Sequence, residues 1–191
     1  MSDAGRVIAG SARGVRLQAP GAGTRPFADR VKQTLFAILE PDLDGARVLD
    51  LFAGSGAGGI EALSRGAASA VFVEKDTGAA KVIEANLRAT SLAGPSAQVV
   101  RTEALAWLKR TSTGAPFDLV IVDPPYAETD LLARTLAALG SEGAPLAAGA
   151  RVVAKHFWRD RPPDRIGLLA SERDRRFGES ALTFYRREED R

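Results

Sequence analysis

The chain contains no cysteine and a single histidine, His156. Without thiols there can be no disulfide, zinc–thiolate centre or cysteine nucleophile. With one imidazole, a histidine metal site or a Ser-His-Asp triad would have to rest on His156 alone, so no metal is expected. No apolar run approaches the ~20 residues that cross a bilayer, and residues 1–6 carry no apolar signal core. A cytoplasmic protein without a membrane partner is therefore expected. What is present is ordinary for one globular domain: 191 residues, 45% hydrophobic and 26% charged. Charge is unevenly spread. Residues 1–32 hold Arg6, Arg13, Arg16, Arg25, Arg30 and Lys32 against Asp3 and Asp29, a net +4, while the rest of the chain is net −2. Such an arm suits a polyanionic partner; it could equally be a solvated segment.

Two short β-type runs, residues 6–9 and 15–18, flank a polar turn and predict a hairpin. A Gly- and Pro-rich loop follows, then apolar positions at helical spacing over 29–39, stopped by Pro41. Beyond this, strands (47–51, 70–74, 98–101, 117–122, 150–155) alternate with helices (58–65, 77–90, 104–110, 130–139). The rhythm predicts an α/β fold with a mostly parallel sheet and helices on both faces. Runs at 165–170 and 181–186 predict two final strands at one edge. The candidate division is a basic hairpin and loop over residues 1–27 and an α/β domain over 28–191.

The first core strand ends in Asp50-Leu51-Phe52-Ala53-Gly54-Ser55-Gly56-Ala57-Gly58-Gly59 and leads directly into a helix. In a doubly wound sheet this point lies beyond the C-terminal strand ends, where ligands bind. Gly54, Gly56 and Gly59 fit G-x-G-x-x-G, and Glu74 stands where an acid binds ribose hydroxyls. NAD and S-adenosylmethionine both satisfy this pattern, and so does a tight turn that binds nothing. Asp50 favours S-adenosylmethionine, because a carboxylate there attracts the cationic methionine end and offers a pyrophosphate nothing. Alternatively, Asp50 caps the loop's backbone amides.

Asp123-Pro124-Pro125-Tyr126 follows the apolar strand 117–122. That strand is expected beside the first core strand, so the motif would face the glycine loop. The exocyclic amino nitrogen of a base is a poor nucleophile, since its lone pair is delocalised into the ring. Two acceptors aimed at its hydrogens free that lone pair: the Asp123 carboxylate and the Pro124 carbonyl, held rigid by the Pro124-Pro125 pair. Tyr126 offers a face for stacking an extruded base. As structure alone, the four residues make a rigid turn.

Taken with Val71-Phe72-Val73-Glu74-Lys75-Asp76, these two motifs resemble the class I amino-methyltransferases. Further segments are similar to the bacterial 16S rRNA (guanine-N2)-methyltransferases of the RsmD type: Arg6-Val7-Ile8-Ala9-Gly10 with Arg13-Gly14, Thr24-Arg25-Pro26 with Asp29-Arg30-Val31-Lys32, and residues 176–185. The resemblance covers nearly the whole chain. It implies a seven-stranded Rossmann-like methyltransferase sheet with an appended hairpin, acting on one guanine of 16S rRNA in an assembled or nearly assembled small ribosomal subunit; a monomer is expected. It implies that Phe52, Ala53, Gly54, Ser55 and Gly56 wrap the methionine part of S-adenosylmethionine. Glu74 would bind its ribose and Lys75 lie beside the adenine. Glu103-Ala104 stands where the family usually has Asp-Ala near the adenine amino group. His156-Phe157-Trp158 matches no family pattern, and His156 is expected to be structural. Arg6, Arg13, Arg16, Arg25, Arg30 and Lys32 are candidates for phosphate contacts. The alternatives are an amino-methyltransferase for adenine or DNA, a methyltransferase for a protein glutamine, an NAD-dependent oxidoreductase, and a silent RNA-binding module. The glutamine enzymes usually carry Asn-Pro-Pro-Tyr and an extra domain, and this chain shows neither.

Overall fold

The computed structural model describes residues 3–21, 29–110 and 114–189. The hairpin is present as β1 (Asp3–Arg6) antiparallel to β2 (Arg16–Gln18). Its first strand lies three residues earlier than expected, and the cause is visible in the hydrogen bonds. The Ile8 and Ala9 amides leave the hairpin and donate to the Glu61 carboxylate at 2.8 and 3.1 Å. The Ala9 carbonyl accepts from the Ser64 hydroxyl. Residues 8–9 thus dock the hairpin onto the body instead of extending its ladder.

Helix α1 (Asp29–Leu39) buries Val31, Lys32, Leu35, Phe36 and Leu39, and Pro41 lies in the 3-10 turn that ends it. The chain then runs β3 (Arg47–Leu51), α2 (Ala57–Ser64), β4 (Ser69–Glu74), α3 (Thr77–Ala89), β5 (Ala97–Arg101), α4 (Ala104–Arg110), β6 (Phe117–Val122), α5 (Thr129–Leu139) and β7 (Leu146–Phe157). It closes with β8 (Arg165–Ile166), β9 (Leu169–Phe177) and β10 (Ser180–Arg187). The main sheet has the order β5-β4-β3-β6-β7-β10-β9-β8. Its first five strands are parallel, and β10, β9 and β8 pair antiparallel.

The sheet therefore has eight strands where seven were expected. The run 165–170 breaks at Gly167, whose φ of 56° reverses the chain. β8 lies before the break and β9 after it. Glu172 to Arg176 of β9 are all charged and exposed. A stretch of five exposed charges has no apolar alternation to display, and that hid the length of β9 from the sequence pattern.

Central strands are apolar on both sides because both faces are covered. Val48, Leu119, Ile121 and Val153 join a core with α1, α2, α3 and the hairpin. Leu49, Leu51, Val120, Val122 and Val152 join a second core with α4 and α5. Strand order reverses direction between β3 and β6, and the C-terminal ends of these two strands form the crevice where an open α/β sheet binds ligands. No helix among the described residues is long and apolar enough to cross a membrane.

Candidate active site

One wall of the crevice is the glycine loop between β3 and α2. Phe52, at φ 63°, takes a left-handed backbone that costs a non-glycine residue energy. Gly54 (φ 55°) and Gly56 (φ 76°) continue the tight path. A Cβ on Gly54 would meet no atom nearer than 3.9 Å, so its face of the loop is open to a ligand. Gly59 has a different role. A Cβ there would lie 2.3 Å from the Phe72 ring, so this glycine lets α2 pack directly on the sheet.

The loop is held by side chains that bind its backbone. Glu74, at the end of β4, accepts from Gly54 N at 2.8 Å with one oxygen and from Asp76 N at 2.8 Å with the other. Asn86 of α3 donates to the Ser55 and Gln18 carbonyls, both at 2.9 Å, and so fixes the loop to the hairpin. The Ala53 amide donates to Val73 O, and the buried Ala53 begins the turn closed by Gly56 N. Asp50 is buried and accepts from Gly59 N at 2.8 Å. Burial pushes the Asp50 carboxyl up to about 8; the Gly59 bond opposes this, while nearby Asp123 and Glu74 add to it. The capping role and a ligand role are compatible, because each carboxylate oxygen has a second lone pair. A buried acid poised near 8 is ionised by a cation placed beside it. Lys75 and Glu103 are exposed, and Ala104 is buried. Thr102 N donates to Glu74 O, so the β5–α4 turn sits against the end of β4. The ends of β3, β4 and β5 thus carry the expected cofactor residues side by side.

The other wall follows β6. Leu51 and Val122 are register partners, so Asp123 begins where the glycine loop begins. Asp50, Asp123 and Lys155 each lie two residues beyond a first-core residue, Val48, Ile121 and Val153 respectively. By strand alternation all three face the same side of the sheet. Lys155, near the end of β7, donates to both Asp123 oxygens at 2.9 and 3.0 Å. Burial pushes the Asp123 carboxyl up, and Lys155 offsets only part of this. Burial works to lower the Lys155 pKa, but Asp123 and Tyr126 together outweigh it and leave it raised, so the ammonium is charged. Lys155 also lies 5.2 Å from the centre of the Tyr126 ring, and the Tyr126 hydroxyl meets Ser180 Oγ at 2.5 Å. Pro124 is buried, whereas Pro125 is exposed.

Lys155, Ser180 and Asn86 were not singled out from the sequence. Lys155 left a faint signal, a charge ending the apolar run Val152-Val153-Ala154; Asn86 interrupts the apolar side of α3. His156 is buried and bonded to the Phe157 carbonyl at 2.8 Å and to Thr183 Oγ1 at 2.9 Å. Burial lowers its pKa. Alternation puts it on the face opposite Asp123, in a structural position.

The basic arm divides. Arg13 and Arg30 are exposed. Arg6 and Arg16 are exposed and pair with Asp29 and Asp3. Arg25, with Thr24 and Pro26, lies outside the described residues. Lys32 corrects its assignment: its side chain is fully buried, its ammonium donates to the Arg6 carbonyl, and burial lowers its pKa. Helical periodicity turns Lys32 inward beside Val31 and Leu35, so it pins α1 to the hairpin and no phosphate can reach it.

The family model described as Conserved hypothetical protein 95 matches residues 5–186. Ribosomal RNA small subunit methyltransferase D of Escherichia coli (strain K12) is 39% identical over 184 residues, covering 96% of this chain and 90% of that protein. YlbH of Bacillus subtilis (strain 168) is 39% identical over 186 residues, 95% of this chain and 98% of that one. The solved structure of yhhF from Escherichia coli aligns with a TM-score of 0.83 at 36% identity, covering 96% of this chain and 97% of its own.

Proposed function

The chain belongs to the Conserved hypothetical protein 95 family, and from that premise we propose that it transfers a methyl group from S-adenosylmethionine to the exocyclic N2 amino group of a guanine in 16S rRNA. The substrate is an assembled or nearly assembled small ribosomal subunit, met in the cytoplasm by a monomer. One observation carries the chemistry: Asp50 and Asp123 stand at neighbouring strand ends on one side of the sheet, one beside the glycine loop and one in the base-gripping motif.

The residues present fit the cofactor. The open face at Gly54 leaves room for it, and the buried Asp50 carboxyl calls for a cation. Phe52 to Gly56 would hold its methionine part, Glu74 its ribose, and Lys75 with Glu103-Ala104 its adenine end. Bound S-adenosylmethionine supplies the methyl group and a sulfonium that leaves as a neutral thioether. The protein does the rest. Asp123 and the Pro124 carbonyl accept the two amino hydrogens and release the nitrogen lone pair. Lys155 helps to keep Asp123 ionised against its burial. As nitrogen gains positive charge, Asp123 stabilises it and takes the proton. Tyr126, steadied by Ser180, stacks on the extruded base.

The test is methyl transfer from labelled S-adenosylmethionine to small subunits purified from cells lacking this protein, with naked rRNA and DNA run in parallel. Modification of a single guanine at N2 in the subunits is expected. Label in DNA or on adenine, with none in the subunits, would overturn the assignment.

A further inference from the structure

His156 and Phe157 end β7 and Trp158 follows them directly, in a setting the fold defines. The Arg176 guanidinium stacks on the Trp158 ring, 3.6 Å from the ring centre, and Arg159 lies 4.9 Å from the same ring. Trp158 N donates to Glu179 O at 3.0 Å, fixing the backbone at Trp158 against the β9–β10 turn. Arg176 Nε donates to Gly178 O at 2.9 Å. The next residue after Glu179 is Ser180, whose hydroxyl meets Tyr126. The cluster therefore sits on the same rim as the base-gripping motif, on the β7–β10 side of the crevice, whereas the hairpin docks on α2 and α3.

An arginine side chain normally loses rotamer entropy when a ligand immobilises it. Here the loss has occurred on folding: one face of the guanidinium lies on the indole and Nε is tied to a carbonyl. Arg176 is exposed as a residue, and its planar guanidinium has the fork that matches a phosphate. Among the described residues, Arg176 and Arg159 form no ion pair. Two carboxylates, Glu179 and Asp160, lie close in sequence to this cluster, while Asp174 is taken up by Arg161 and Thr183.

We propose that Arg176, positioned by stacking on Trp158, binds a backbone phosphate of the RNA strand next to the nucleotide drawn into the crevice. The inference rests on the rRNA reading above and extends it to a second anchor, away from the hairpin. A base extruded between two anchored phosphates is held on both sides, which the arm alone cannot do.

Steady-state methylation of small subunits at several salt concentrations tests this, with S-adenosylhomocysteine binding measured alongside. Arg176→Gln keeps a side chain on the indole and removes the charge. It is expected to raise KM about tenfold and to flatten the salt dependence of log(kcat/KM) by about one unit, with cofactor binding retained. Trp158→Ala keeps the charge and loses the platform, so it raises KM with the salt slope unchanged. Parental KM and salt slope in Arg176→Gln would overturn the proposal, whatever that variant's thermal stability. If the parent protein itself leaves the subunits unlabelled, the rRNA reading fails instead, and the two failures are distinct.

Discussion

The two walls of the crevice are held by opposite means. On the glycine-loop side, carboxylates and an amide bind backbone: Glu74 to Gly54, Asp50 to Gly59, Asn86 to Ser55. On the Asp-Pro-Pro-Tyr side, side chains bind side chains: Lys155 to Asp123 and Ser180 to Tyr126. The first wall fixes the path of a loop, as suits a site that wraps a cofactor. The second fixes the charge and direction of a carboxylate, as suits a group that must accept a proton. Shape is the concern of one wall and protonation of the other.

Variants that strike one wall alone should separate these roles. Asp123→Ala is expected to lower kcat by at least ~100-fold while S-adenosylhomocysteine binding survives. Equal loss of cofactor binding would show that the walls are not separable. Gly59→Ala should do the reverse in kind. Its methyl group meets the Phe72 ring, and such overpacking costs about 1–3 kcal/mol. Urea unfolding should show that loss together with weakened cofactor binding, and an unchanged midpoint would mean that α2 shifts freely.

Lys155→Met removes the cation that holds Asp123 ionised, so the carboxyl rises further. The acid limb of the kcat–pH profile should move to higher pH, with roughly tenfold lower kcat at neutral pH, one pKa unit being tenfold in ionisation. Lys155→Arg should restore much of the profile. A limb that stays in place would remove Lys155 from the protonation of Asp123.

The smallest effect is expected from Asp50→Asn in the cofactor-free protein. Asp50 titrates near 8 in the folded chain and near 4 when unfolded. The folded state therefore binds the extra proton across that window, and stability falls as pH rises through it. Asparagine has no such proton, so the Tm of Asp50→Asn should gain on the parent between pH 5 and pH 8 (roughly the ends of the useful window). Parallel Tm curves would place the Asp50 carboxyl in solvent instead of in a buried setting.

Much of the first wall was legible because its determinants are local. Glycine spacing, the acid at the end of β4 and the strand–turn–helix rhythm lie within one stretch of chain, and backbone partners leave few alternatives. The second wall was half legible. Asp123 to Tyr126 stand out as a motif, but their partners come from β7 and β10, and only strand pairing brings these near. Lys32 shows the converse: as a letter it joined a basic arm, yet the phase of α1 buried it.

The chain by itself therefore determined the α/β alternation, the two motifs and the family pattern, since each is written in short-range periodicity or contiguous residues. Only the folded sheet decided that β9 exists as an eighth strand, that Lys155 grips Asp123, and that Arg176 lies on Trp158. Those choices depend on strand order and register, which join residues far apart in sequence through packing energy that no single segment encodes.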